Sequence, residues 1–272
     1  MISPNAIQLG FINITWYGII YFIGFLFSFF YIKHQMIKMN IKEENTETFF
    51  IYFTLFSLLG ARLFEIFFYN FEYFRSNPIK IFAVWQGGMS VHGAMLFGFL
   101  TIICYCRKNK INYLKLTDII VVPLSLGLAF GRLANFINQE LVGIVTKNSI
   151  GIVFSAYDNN KRLPYQLFEG FKNLIIFQVL FFIKTFKETK DGFLTALFII
   201  TYSSLRFIID FTKEIENTSK ILFMPVGHFF SLIYLIIGLI LLIKLITRKN
   251  ILLKKEIKQK NITCNIKANK KQ

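Results

Sequence analysis

Long apolar runs alternate with short polar and charged breaks along the chain. Seven runs are long enough to cross about 30 Å of hydrocarbon as helices, which takes roughly 20 residues each. The predicted spans are residues 16–32, 48–68, 89–106, 118–136, 164–183, 193–211 and 224–246. The pattern predicts an all-α, polytopic integral membrane protein. We expect about seven transmembrane helices around a polar cavity within residues 1–247, followed by a basic cytoplasmic tail, 248–272.

Composition agrees with the pattern. Hydrophobic residues make up 54% of the chain, aromatic residues 18%, and the mean hydropathy is +0.52. A soluble domain has a lower apolar share, broken by regular polar faces. The composition therefore excludes an ordinary soluble protein.

The distribution of lysine and arginine predicts an orientation. One set of loops carries the stronger basic clusters, around Lys38, Lys108 and Lys187 and in the tail, and basic loops remain in the cytoplasm. With an odd number of spans, the N-terminus lies outside and the C-terminus in the cytoplasm. The first residues lack the charged region and cleavage site of a removable signal peptide, so we expect the first span to remain as an anchor.

The net charge of +16 does not indicate nucleic-acid binding. Much of the excess lies in loops and in the tail, where contact with anionic headgroups is a simpler explanation. Three cysteines (Cys104, Cys106, Cys264) and three histidines (His34, His92, His228) show neither a disulfide framework nor metal-ligand spacing. No metal or organic cofactor is predicted.

The most informative segment is 131–143, at the end of the fourth span. Arg132, Asn135 and Asn138 follow at intervals of three, so they stay near one face if the helix persists. An arginine fork beside amide donors suits a phosphate. Gly127 and Gly131 allow close helix approach. The alternative is a structural polar seam between helices.

A second polar cluster, 85–94, precedes the third span. Glycines flank His92, which is the side chain there that could exchange a proton near neutral pH. The alternative is that His92 is a packed hydrogen-bonding group.

Two further sites place charge in the fifth and sixth spans. Glu169 follows Pro164 by five residues, in the first turns of a helix where the dipole favours an acid. Tyr202, Arg206 and Asp210 are four apart on one face. Each set can be read as ligand-binding or as structural, with Glu169 stabilising the terminus and Arg206 paired with Asp210.

Together these segments resemble the prolipoprotein diacylglyceryl transferases over nearly the whole chain. The family signature of glycine-arginine, asparagine-phenylalanine-x-asparagine-x-glutamate and a later glycine is complete from Gly131 to Gly143. Other segments that resemble the family are Trp16-Tyr17-Gly18, Gly60-Ala61-Arg62, Phe68-Tyr69-Asn70, Gly87 to Gly93 and Arg206-Phe207.

Several positions depart from the family pattern. Ala94 stands in place of a second glycine, and Pro164-Tyr165-Gln166-Leu167-Phe168-Glu169 varies a familiar helix start. Asp210 and Lys213 replace a more usual glutamate and arginine, and His228 occupies what resembles a glutamine position. These changes bear on the charge network around Arg206.

The resemblance implies transfer of the diacylglyceryl group of phosphatidylglycerol to the lipobox cysteine of a prolipoprotein signal peptide, in the bacterial cytoplasmic (inner) membrane. The implied partners are these two substrates and membrane lipids, with no nucleic acid. The implied catalytic residues are His92, Arg132, Arg206 and Glu140, with His92 as the first choice of base. Phosphatidylglycerol would be bound by Tyr17, Arg132, Asn135, Asn138, Gly143, Gln166, Tyr202 and Arg206, with Gly143 permitting the turn after the signature.

Two other classes of function remain open from the residues alone. A transporter could use buried arginines to bind an anionic lipid or solute, although no duplicated halves are visible in the sequence. A membrane scaffold could use the same polar residues to join its helices. Substitution of Arg132 distinguishes an enzyme from a scaffold, because it should abolish lipid transfer without unfolding an enzyme and should disturb the assembly of a scaffold.

Overall fold

The structure is a computed structural model that describes residues 5–9, 12–84, 87–214, 220–221 and 224–269, and it is predominantly helical. The described residues form eight α-helices, which are α1 Trp16–Ile37, α2 Glu43–Phe64, α3 Phe71–Ser76, α4 Val91–Asn109, α5 Tyr113–Ile137, α6 Tyr165–Phe186, α7 Phe193–Ile209 and α8 Val226–Asn269. Within the same residues, three antiparallel hairpins pair β1 Asn5–Leu9 with β2 Ile12–Thr15, β3 Ile152–Val153 with β4 Lys161–Arg162, and β5 Lys220–Ile221 with β6 Met224–Pro225.

Six helices within the described residues are long and apolar enough to cross a membrane. They coincide with six of the seven predicted spans, although α2 and α5 each begin five residues before the predicted boundary. The third predicted span is helix α4, which carries Arg107 and Lys108 in its last turn and is not among the six. The predicted tail continues α8 along the backbone as far as Asn269, the last described residue, and its side chains lie outside those described.

The chain divides into two compact units, Met1–Phe22 with Leu124–Gln272, and Ile23–Pro123. In the second unit, α2 packs directly on α4 because glycines bring the two backbones together. A Cβ on Gly93 would lie 2.2 Å from the carbonyl oxygen of Gly60, and a Cβ on Gly60 would lie 2.4 Å from the Phe97 ring. No side chain fits at either position without displacing the helices.

In the first unit, α7 packs against α6 and α8. The α6 face buries apolar residues such as Ile176 and Leu180 towards its C-terminal half. The same helix buries Gln166, Glu169 and Lys172 near its start. Buried charge at membrane depth is costly, so this end of the unit is where a functional site is expected.

Candidate active site

The signature segment ends α5 with a polar turn. The helix stops before Asn138, and Gln139 and Leu141 turn the chain with φ values of 59° and 54°. Asn135 and Asn138 both donate side-chain hydrogen bonds to the carboxylate of Glu140, at 3.0 and 3.2 Å. The two amides therefore remain together although the helix does not persist, because Glu140 accepts from both.

Gln166 joins this turn to the start of α6. Its amide nitrogen donates a 2.6 Å hydrogen bond to the backbone carbonyl of Glu140, and the residue is completely buried. Within the described part of the chain, its Oε1 has no hydrogen-bond partner. A buried acceptor without a donor costs about 1–3 kcal/mol, so this oxygen is suited to a ligand hydroxyl.

Gly143 lies where three backbone segments meet. Its N–H donates to the Leu163 carbonyl at 3.1 Å. A Cβ on Gly143 would lie 2.4 Å from that oxygen and 2.7 Å from the Thr212 carbonyl oxygen. The turn itself is made by the two preceding positive-φ residues, so Gly143 is required for close backbone approach rather than for turning the chain.

Arg162 fixes the loop that follows the signature. Its guanidinium contacts Asp158 at 2.6 Å and Glu214 at 2.9 Å, and donates to the Gly143 carbonyl at 3.1 Å. The Arg162 hydrogen bond lowers the pKa of the Asp158 carboxyl to about 2. Glu214 thus links the loop to the chain beyond α7 through Arg162, and the Asp158 partner of Arg162 within the loop stays ionised far below neutral pH.

Arg132 shares a carboxylate with a lysine. Its Nη2 lies 3.4 Å from one oxygen of Glu169, and the other oxygen accepts from Nζ of Lys172 at 2.6 Å. The Glu169 and Lys172 side chains are 0% and 2% exposed, whereas that of Arg132 is 16% exposed. The closer and more buried partner of Glu169 is therefore Lys172.

Lys172 also contacts a tyrosine of α7. Its ammonium lies 4.1 Å from the centre of the Tyr202 ring, a cation–π distance. The Tyr202 hydroxyl accepts a 2.7 Å hydrogen bond from Nη1 of Arg206. The fifth and sixth spans are thereby connected through one lysine and one tyrosine.

Asp210 and Tyr165 close a circuit of contacts that runs from Arg132 through Glu169, Lys172, Tyr202 and Arg206. Nε of Arg206 lies 3.5 Å from Oδ2 of Asp210, and Oδ1 accepts a 2.6 Å hydrogen bond from the Tyr165 hydroxyl. The Tyr165 ring in turn lies 5.8 Å from the guanidinium carbon of Arg132. We refer to this circuit as the charge ring, whose members are Arg132, Tyr165, Glu169, Lys172, Tyr202, Arg206 and Asp210.

An apolar cleft of about 770 Å³ adjoins the charge ring between α5, α6 and α7. Its walls include Leu133, Leu167 and Phe171, and its polar lining is Gln166 and Lys172. Ligand sites commonly measure about 300–1,000 Å³ and combine apolar walls with a few polar groups. The arrangement suits a ligand with a hydrocarbon body and an anionic head.

Tyr17 lies close to the signature helix. Its hydroxyl donates to that of Tyr21 at 3.2 Å, the two rings stack at 4.6 Å, and a Cβ on Gly131 would lie 2.9 Å from the Tyr21 hydroxyl. The Tyr17 hydroxyl is within electrostatic range of Glu140 and Arg132. Tyr17 is therefore associated with the polar end of α5.

His92 belongs to the other unit, on the first turn of α4. Its Nδ1 lies 3.2 Å from the Tyr69 hydroxyl. Ser90 caps the helix by accepting from the N–H of Gly93 at 3.5 Å. His92 thus has a phenol partner and a glycine neighbour that is packed against α2.

Arg62 holds the glycine segment before His92. Gly87 and Gly88 both have positive φ, 87° and 72°, and their carbonyls accept from Nη1 of Arg62 at 2.7 and 2.9 Å. Nε of Arg62 donates to the Ile81 carbonyl at 2.9 Å. This buried arginine therefore orders the chain that leads into α4. Trp85 and Gln86, part of the predicted cluster, lie outside the described residues.

Comparison with known proteins places these residues in a family. Residues 4–244 match the family described as prolipoprotein diacylglyceryl transferase. The chain belongs to this family. A phosphatidylglycerol–prolipoprotein diacylglyceryl transferase of Rickettsia bellii is 38% identical over 251 residues, covering 89% of this chain and 95% of the relative. One from Ehrlichia ruminantium is 36% identical over 248 residues, covering 89% and 96%.

The structure collects the residues that carried the family resemblance into three groups. Arg132, Tyr202 and Arg206 are in the charge ring, and Asn135, Asn138, Glu140 and Gln166 form the adjoining turn. His92 is in the second unit. Among the described residues, no three His, Cys, Asp or Glu side chains are grouped as metal ligands would be.

Lys172 and Tyr165 are site residues that the sequence pattern did not predict. The signal for Lys172 was its position three residues after Glu169, on the same helical face. Of the departures from the family pattern, Asp210 is in the ring and the backbone of Lys213 pairs with Gly143. His228 is buried, with its ring 5.0 Å from that of Phe207.

Proposed function

We propose that this chain transfers the diacylglyceryl group of phosphatidylglycerol to the cysteine thiol of a prolipoprotein, the first step of lipoprotein maturation in bacteria. The observation that carries the proposal is the charge ring beside an apolar cleft, in a chain of this family. The relatives named above are called transferases for these two substrates.

The reaction exchanges one bond for another. The cysteine sulfur attacks the carbon of the diacylated glycerol that is bonded to the phosphate oxygen. A carbon–sulfur thioether bond forms there, and the bond between that carbon and the phosphate oxygen breaks. The thiol proton passes to a base, and glycerol phosphate leaves with the electron pair of the broken bond. The site must therefore activate a thiol and stabilise a phosphate leaving group.

Arg132 and Arg206 are the proposed phosphate partners. Both belong to the charge ring, and a guanidinium can hold two phosphate oxygens at once. Only Nη2 of Arg132 contacts a carboxylate within the described residues, which leaves other donors for a ligand. Asn135 would add an amide donor next to them.

The polar turn would bind the headgroup. The buried Oε1 of Gln166 accepts no hydrogen bond from the described atoms, so it could accept one from a hydroxyl of the headgroup glycerol. Tyr17, Asn138, Gly143 and Tyr202 would shape the rest of this pocket, with Gly143 acting through the close backbone packing around it.

His92 is the proposed base for the thiol. Histidine is the side chain that most often serves as a general base, and His92 is the histidine of the glycine cluster. Glu140 would orient groups or share in proton transfer, because its carboxylate is already aligned by two asparagine amides.

The proposed setting is the bacterial inner membrane, with α4 as a seventh span. The N-terminus would face outwards and the C-terminus the cytoplasm, as the basic loops predict. The prolipoprotein would present the cysteine of its lipobox at the outer half of the membrane.

Mass spectrometry tests the function. Purified protein in detergent is incubated with phosphatidylglycerol and a lipobox peptide, with a Cys→Ser peptide as the matched control. We expect the cysteine peptide alone to gain a diacylglyceryl group, with release of glycerol phosphate. Phosphatidylglycerol that binds but never reacts would overturn the proposal and favour transport.

A further inference from the structure

Lys172 is a buried cation that the resemblance did not identify. Its side chain is 2% exposed and lies inside a helix that is a candidate membrane span. Its contacts are the Glu169 carboxylate at 2.6 Å and the face of Tyr202 at 4.1 Å. A buried lysine at membrane depth is costly and is usually retained for a function.

The charge ring contains three cations and two carboxylates. The cations are Arg132, Lys172 and Arg206, and the carboxylates are Glu169 and Asp210. The ring therefore has a formal excess of one positive charge. The nearby Glu140 is exposed and its carboxylate is held by two amides, so it is not counted as a partner of these cations.

One uncompensated positive charge matches one phosphodiester. An excess cation in a low-dielectric site is stabilised when an anion binds. Removal of Lys172 would make the ring formally neutral and leave Arg132 as the one cation that the structure places against Glu169. Arg132 would then be the sole ionic partner of Glu169 in the charge ring, and its guanidinium would be held more firmly away from a ligand.

Resting on the transferase function above, we propose that Lys172 is a positioning residue of the reaction. It takes Glu169 as its own partner, keeps the Arg132 guanidinium open for the phosphate of the lipid, and supplies the excess charge that the lipid neutralises. It acts through Arg132 and need not touch the substrate.

A charge-compensation series tests this role. Lys172→Met removes the charge at similar length, and the double variant Glu169→Gln with Lys172→Met removes its carboxylate partner as well. The double variant regains the formal excess of one positive charge and frees Arg132. Lys172→Arg keeps the charge, and Lys187→Met, an exposed lysine just after the same helix, is the matched control.

Steady-state transfer is measured for each variant against phosphatidylglycerol concentration, with thermal unfolding alongside. For Lys172→Met we expect kcat/KM to fall about 10- to 100-fold, chiefly through KM, because a charge-assisted contact to the lipid is weakened. The double variant should recover most of the loss, Lys172→Arg should retain activity, and Lys187→Met should match the parent. A merely structural lysine predicts instead that transfer follows the unfolding midpoint across all the variants, with no separate rise in KM for Lys172→Met.

The outcomes separate the two proposals. The role of Lys172 alone is overturned if the parent transfers normally and Lys172→Met has an unchanged kcat/KM. It is also overturned if the parent transfers normally and a folded double variant has no higher kcat/KM than the single variant. If Lys172→Met does not fold, the double variant and Lys172→Arg decide, since inactivity in both folded proteins overturns the role. A parent that forms no adduct overturns the transferase function and the role with it.

Discussion

The Tyr165 hydroxyl donates a 2.6 Å hydrogen bond to Oδ1 of Asp210, and both residues are buried, at 1% and 3% exposure. The other oxygen of Asp210 lies 3.5 Å from Nε of Arg206. Tyr165 thus satisfies one half of a carboxylate whose other half faces an arginine, and it helps set how strongly Asp210 holds Arg206.

Tyr165→Phe should destabilise the protein. A buried carboxylate oxygen loses its donor, which costs about 1–3 kcal/mol. Unfolding of the detergent-solubilised variant measures the change, with Tyr157→Phe as the control because that tyrosine is 49% exposed. Equal unfolding midpoints for Tyr165→Phe and the parent would show that the hydrogen bond adds nothing.

Arg132→Ala should abolish transfer while the protein stays folded. Glu169 keeps Lys172 as a buried partner at 2.6 Å, so no carboxylate is left alone. Arg132→Lys keeps the charge but loses the planar fork, and we expect about a 10- to 100-fold slower transfer. Adduct formation and thermal unfolding are measured on the same samples. Misfolding of both variants would indicate a structural role instead.

Gly93→Ala should loosen α2 from α4. The added Cβ would lie 2.2 Å from the Gly60 carbonyl oxygen, and overpacking of this kind typically costs about 1–3 kcal/mol. Gly127→Ala is the matched helical control, because a Cβ there meets nothing within 4 Å. We expect a lower unfolding midpoint for Gly93→Ala only. Since Gly93 follows His92, transfer should fall as well, and equal stability of the two variants would contradict the packing.

Asp158 should stabilise its loop down to acidic pH. Its folded pKa, about 2, is below the ordinary value of 3.8, so its contribution is present above pH 3.8 and is lost as pH falls towards 2. Asp158→Asn should therefore speed amide hydrogen exchange in residues 144–163 at pH 6. After correction for intrinsic rates, the difference from the parent should shrink between pH 4 and 2. A difference that is independent of pH would exclude the Asp158–Arg162 pair as its cause.

Apolar run length predicted the helices well, because a membrane helix is specified by local composition. The end of α5 was less predictable. Regular spacing would keep Asn135 and Asn138 on one face, yet the helix stops at Ile137 and Glu140 holds the two amides together. A side-chain interaction across a turn replaces helical periodicity, and spacing alone does not reveal it.

The charge ring could be predicted only in part. Arg132 and Arg206 stand out as charges in apolar runs, but their connection passes through Glu169 and Lys172 on α6 and then through Tyr202 on α7. Glu169 was equally well explained as a stabiliser of its helix terminus. Contacts between helices distant in sequence depend on packing, which the pattern of one chain does not specify.

The most direct test of the transferase account follows both halves of phosphatidylglycerol. The diacylglycerol part carries one isotope label and the headgroup glycerol another, and the lipid is incubated with the purified protein and a lipobox peptide. We expect the first label on the peptide cysteine and the second in free glycerol phosphate, in equal amounts. Both labels remaining together in intact lipid, with no labelled peptide, would contradict the account.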